Sequence, residues 1–149
     1  MSRSQANLAE TVSSETGALR HSTLIGVEHD ALLLGLLEQS GDCIKMLGLD
    51  GTLEYMNCGG LAAMEIDAFS MVGGKIWWEL WPEDTRKLVR KKFETAAAGS
   101  EAEFIALCPT AKGNLRRWSV KLKPMIAVDS RVAGVLCTSR DISQKQDLT

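Results

Sequence analysis

The chain has 149 residues, 45% of them hydrophobic, with 17 Lys and Arg against 19 Asp and Glu, a formal net charge of -2 and a sequence pI near 5.7. That length fits one ordinary domain and not two, and the acidic balance argues against a general nucleic-acid binder, which carries a basic excess. No segment approaches the roughly 18 apolar residues of a spanning helix, and the first thirty residues hold no signal-like apolar run, so no membrane segment and a cytoplasmic location are expected.

Residues 1–22 are rich in Ser, Thr, Glu, Gln and Ala and lack aromatic residues. Such a stretch cannot bury enough apolar surface to offset its chain entropy, so it reads as a disordered leader or a frayed helix. A flanking segment over residues 23–41 follows. Within it Val27–Gln39 reads as a helix with a wide apolar face made by Leu32, Leu33, Leu34, Leu36 and Leu37, ended by Ser40-Gly41. The leucines could pack on the domain's own sheet or form a dimer seam through Leu33, Leu36 and Leu37, and the two roles are compatible. Left exposed, the face would exceed what soluble monomers usually tolerate, so a homodimer is expected.

Cys43–Leu49, Asp50-Gly51 and Thr52–Asn57 read as a hairpin, Asp-Gly between half-apolar runs being a strong local turn signal. Alternation puts Ile44 and Met46 on one face of the first strand and Cys43, Lys45 and Leu47 on the other. Gly59–Ile66 is a short helix with Asn57 placed to cap it. Asp67–Met71 is another short turn or helix, and Gly73-Gly74 is a joint. Ile76–Trp81 is aromatic. Pro82-Glu83-Asp84-Thr85 opens a longer helix to about Ala98, with Val89, Phe93, Ala96 and Ala97 as its buried stripe and Gly99 as its stop. The basic residues Arg86, Lys87, Arg90, Lys91 and Lys92 fall on its solvated side. Three strands close the pattern: Glu103–Cys108, Arg116–Met125 and Ala133–Arg140. Trp118, Val120 and Leu122 share one face of the second, and Val135, Cys137 and Ser139 one face of the third. The fold class is α+β.

The candidate pocket set is Ile44, Met46, Val120, Leu122, Val135, Cys137 and Ser139 from the strands, with Trp77 and Trp81 from the aromatic segment. Trp77 and Trp81 are four apart and share a helix face. They either wall a ligand site or plug the core outright, since one indole buries about 150–250 Å². A charged ligand would find no partner in this set, and an unpaired buried charge is costly. Any ligand should therefore be small and mainly apolar, or flat and aromatic.

Covalent chemistry is not indicated. Cys43, Cys58, Cys108 and Cys137 form no CxxC pair, which excludes zinc-ribbon and thioredoxin-type readings. The histidines are His21 and His29 only, and no metal site is expected. No Ser/His/Asp order, P-loop or GxGxxG occurs. Glu83-Asp84 sits at a helix start, where capping outweighs acid–base work. The expectation is no catalytic residue and no enzyme.

Four segments in order resemble a PAS (Per-Arnt-Sim) domain: Leu49–Asn57, Trp77–Pro82, Lys112-Gly113 with Trp118, and Arg140-Asp141-Ile142-Ser143. The resemblance covers about residues 42–143, with 144–149 as the start of a C-terminal signalling helix. It implies a five-stranded antiparallel sheet in the order 2-1-5-4-3 with short helices on one face around a small pocket. It also implies a sensory module that dimerises and relays a signal to a C-terminal effector, such as a histidine kinase of a two-component system or a diguanylate cyclase. The relay would run through Asp141, Ile142 and Ser143, with Asp141 held by Arg116, Arg117 or Arg140. Departures from the family's cofactor-binding branches are specific. Trp77 stands where flavin photoreceptors carry their reactive Cys, Ser139 stands where they carry Gln, and the long helix has no His for haem. No cofactor is therefore expected. A flavin- or haem-binding light or redox sensor and a ligand-free dimerisation scaffold are the alternatives.

Overall fold

The computed structural model describes residues 29–143. The leader over 1–22, the start of the expected Val27–Gln39 helix and the outgoing helix over 144–149 lie outside them. The described residues fall into two units, one ending at Leu37 and one beginning at Glu38.

Helix α1 runs His29–Gln39. Leu33 and Leu36 are 56% and 61% exposed, and Leu34 is also exposed. The second unit is built on one antiparallel sheet of β1 (Cys43–Leu47), β2 (Leu53–Met56), β3 (Ala102–Pro109), β4 (Leu115–Ile126) and β5 (Val132–Asp141). The order β2-β1-β5-β4-β3 puts β5, the last strand, in the centre.

Between β2 and β3 the chain makes helix α2 (Cys58–Ala63), single 3-10 turns at Phe69–Met71 and Trp77–Leu80, and helix α3 (Arg86–Ala97). Val89, Phe93 and Ala96 of α3 are buried against the sheet, and Gly99, at φ 109°, takes the left-handed turn that ends the helix. Pro82–Thr85 forms a separate turn before α3 rather than its first turn, with the Thr85 amide donating to the Pro82 carbonyl at 2.9 Å. Between β1 and β2, Asp50-Gly51 lies within the longer loop Gly48–Thr52. Gly51 adopts φ 90°, and a Cβ there would come within 2.4 Å of the Trp78 ring. Trp78 itself packs on Phe93 at 5.3 Å and lies under the Arg90 guanidinium at 5.2 Å.

Asn57 is the junction residue of this half of the sheet. Its Oδ1 accepts from the amides of Gly60, as the cap of α2, and of Ile44. Its Nδ2 donates to the carbonyls of Asp42 and Ser40. Glu38 accepts from the Tyr55 hydroxyl and from the Cys58 amide.

The inner faces of β4 and β5 follow the alternation: Trp118, Val120, Leu122, Val135, Cys137 and Ser139 are all buried. The face of β1 is the reverse of the expectation. Cys43 and Leu47 are each 1% exposed and Lys45 is 6% exposed, whereas Ile44 and Met46 turn to the other face. Alternation yields two sets and does not by itself say which of them faces the core. The two apolar residues flanking Lys45 outweigh its charge in setting the face.

Candidate functional site: an apolar cavity with a buried lysine

A cavity of about 290 Å³ lies within the second unit, between the inner face of the sheet and the connecting segment. Its sheet side carries Lys45 from β1, Ser139 from β5, Trp118 from β4 and Cys108 from β3. Trp77, Leu80 and Trp81 form one wall, Met56, Met64, Ile66 and Val72 another, and Pro109, at the end of β3, with Thr110-Ala111 the rim. Trp77 and Trp81 meet edge to face, with ring centroids 6.1 Å apart, and Trp81 also packs on Phe104 at 5.5 Å. This is the quadrupole-favoured arrangement. It leaves both indoles bordering open space, so they act as a wall here and do not fill the pocket.

Of the sequence-derived set, Trp77, Trp81 and Ser139 border the cavity. Val120, Leu122, Val135 and Cys137 are core residues beside it. Ile44 and Met46 do not belong to it, being on the other face of β1. Lys45 was missed. The signal available in the sequence was its place between Cys43 and Leu47, two residues that would have no reason to share a solvent face.

Lys45 Nζ donates to Ser139 Oγ at 3.2 Å. Burial acts to lower the Lys45 pKa, and the sulfurs of Cys43, Cys137 and Cys108, once ionised, act to raise it. Burial also pushes up the thiols themselves, Cys137 and Cys108, the latter to about 11. The net direction at Lys45 is upward. Behind the rim, Thr110 is held in a polar knot whose other members do not line the cavity. Glu65 accepts from Thr110 Oγ1 and Asn114 Nδ2, and these bonds, Thr110 first, hold its carboxyl below the ordinary range. The Ala111 amide donates to the Met64 carbonyl at 2.9 Å.

Ser139 is two residues before Asp141 on β5. The carboxylate of Asp141 pairs with Arg116 Nε at 3.3 Å and accepts from the Ser143 amide at 2.9 Å. The Arg117 amide donates to Ser143 Oγ at 2.7 Å, and the Ile142 amide to the Arg117 carbonyl at 2.8 Å. Arg140, the third candidate partner of Asp141, pairs with Asp42 instead. The end of β5 is thus stitched to the start of β4 on both its backbone and its side chains.

A family model described as PAS fold matches residues 37–147. No curated protein matches the chain. Among solved structures, the PAS domain of a protein from Colwellia psychrerythraea is 14% identical with a TM-score of 0.70, covering 78% of this chain and 99% of its own. The PAS domain of an HTR-like protein from Haloarcula marismortui is 26% identical with a TM-score of 0.64, covering 76% and 96%. An RNA-binding light-oxygen-voltage receptor is 16% identical with a TM-score of 0.71. That match covers 89% of this chain but only 37% of the receptor.

Proposed function

Because this chain belongs to the PAS family of sensory modules, we propose that it binds a small molecule in the cavity and relays the change through the end of β5 to a C-terminal effector, such as a histidine kinase or a diguanylate cyclase. The observation that carries this reading is the placement of Ser139: it borders the cavity and lies two residues from the Asp141 junction on one strand. The role is non-enzymatic, and the proposed location is the cytoplasm, in keeping with four unpaired cysteines. Among the described residues no helix is long and apolar enough to cross a membrane.

Native mass spectrometry of the protein as purified, with thermal-shift screening of small molecules, tests the reading. A ligand at a hundredfold excess over its Kd should stabilise the fold by about 2.7 kcal/mol, a rise of several degrees in Tm. The purified protein is expected to be colourless. A stoichiometric absorption band near about 450 nm or about 400 nm would replace this reading with a flavin or haem sensor. A protein that carries and takes up nothing would be a scaffold.

The module is further proposed to dimerise through α1. Its leucines form an apolar face wider than a surface helix needs, yet Leu33, Leu34 and Leu36 are exposed. Sedimentation at high micromolar concentration should show a dimer, and Leu33→Glu with Leu36→Glu should give a monomer. A monomeric wild type, or a double variant that dimerises unchanged, overturns the assignment.

A further inference from the structure

Among the described residues, Lys45 is the one charged residue on the cavity surface. It occupies the middle of β1 and stands opposite Cys137 of β5, while Cys43 stands opposite Ser139. These four residues make a square patch on the inner face over the adjacent strands β1 and β5. Around it the surface is indole, thioether and aliphatic. An ammonium has three N–H donors. The Ser139 hydroxyl takes one at 3.2 Å, the neighbouring Cys43 sulfur is a weak acceptor, and among the described residues no Asp or Glu borders the cavity.

A buried cation without a counter-charge does not help a fold. An apolar side chain of the same length would pack there without the desolvation cost. The fold therefore gives no reason for a lysine at this position, but a ligand does. We propose that the cavity takes a small monocarboxylate with a flat apolar body, its carboxylate on Lys45 Nζ and Ser139 Oγ and its body against Trp77 and Trp81. One ammonium matches one negative charge. A phosphate would need further donors, and the remaining lining supplies few. A water occupies about 30 Å³ of liquid, so about 290 Å³ has room for a molecule of roughly ten non-hydrogen atoms or slightly more. This rests on the ligand-sensing reading above and replaces the neutral ligand that the sequence suggested. It also gives the signal an origin: the carboxylate competes for the Lys45 ammonium with the Ser139 hydroxyl, which sits on the strand that ends at Asp141.

Calorimetric titration with two matched pairs, benzoate with benzamide and 2-naphthoate with 2-naphthamide, tests the proposal. The wild type should bind at least one acid about tenfold or more tighter than its amide, the range for a hydrogen bond between charged groups. Lys45→Met should bring that acid and its amide within about twofold of each other, chiefly by weakening the acid, with the melting temperature not lowered. Equal binding of acid and amide by the wild type overturns the anion and leaves the cavity reading standing. An acid preference that survives in Lys45→Met does the same. Binding of none of the four compounds up to millimolar concentration overturns the anion and counts against the cavity reading too. Should Lys45→Met fail to fold, the acid-to-amide ratio of the wild type decides alone.

Discussion

Asn57→Ala is expected to lower stability by about 3 kcal/mol or more, measured by urea unfolding. Asn57 is 0% exposed, and its side chain serves four backbone groups from three segments. Loss of an N-cap alone costs about 1 kcal/mol. Here the Ile44 amide and the Asp42 carbonyl also lose their partners, and each buried orphan adds about 1–3 kcal/mol. For a domain of this size about 1 kcal/mol corresponds to a Tm shift of roughly 4–8 °C. Asn57→Asp should also destabilise, because it retains the acceptors but turns a carboxylate toward the Asp42 and Ser40 carbonyls. A loss below about 1 kcal/mol in Asn57→Ala would mean that Asn57 is a helix cap and nothing more.

Asp141→Ala is expected to do the opposite: to leave folding nearly intact and to lock or abolish output in the full-length native protein. The Arg116–Asp141 pair is about one-third exposed on both sides, and such pairs contribute about 0–1 kcal/mol. Yet Asp141 also accepts from the Ser143 amide, while Ser143 Oγ accepts from Arg117. Removing the carboxylate frees the direction in which the chain leaves β5. A relay needs two arrangements separated by a few kcal/mol at most, and a junction held by a weak ion pair and three hydrogen bonds is suited to that. Paired measurements of the melting temperature and effector activity check this. An unfolded variant, or one with a normal response, would show that Asp141 has another role.

The element order, the three long closing strands and the inner faces of β4 and β5 were legible because their signals are local. Trp118, Val120 and Leu122 alternate with polar residues, and Gly99 marks the end of α3. The capping role of Asn57 was legible for the same reason, since the group it caps is three residues away. Its bonds to Ser40, Asp42 and Ile44 were not, because they join positions 13 to 17 residues apart. Three arginines were candidates for Asp141, and only the pairing of β4 with β5 selects Arg116. The β1 pattern Cys-Ile-Lys-Met-Leu is ambiguous in isolation.

The sequence by itself determined the α+β class, because hydrophobic period and turn chemistry are carried by neighbouring residues; the family and the expected strand order came from the resemblance of four ordered segments to PAS domains. Only the tertiary structure decided which face of β1 is inside, that Trp77 and Trp81 border a cavity, and that Lys45 lines it too. The physical reason is that burial is a property of the packed sheet. Strand pairing with β5 fixes the register Lys45 to Cys137 and Cys43 to Ser139, and that register carries Lys45 into the interior against its own preference for water.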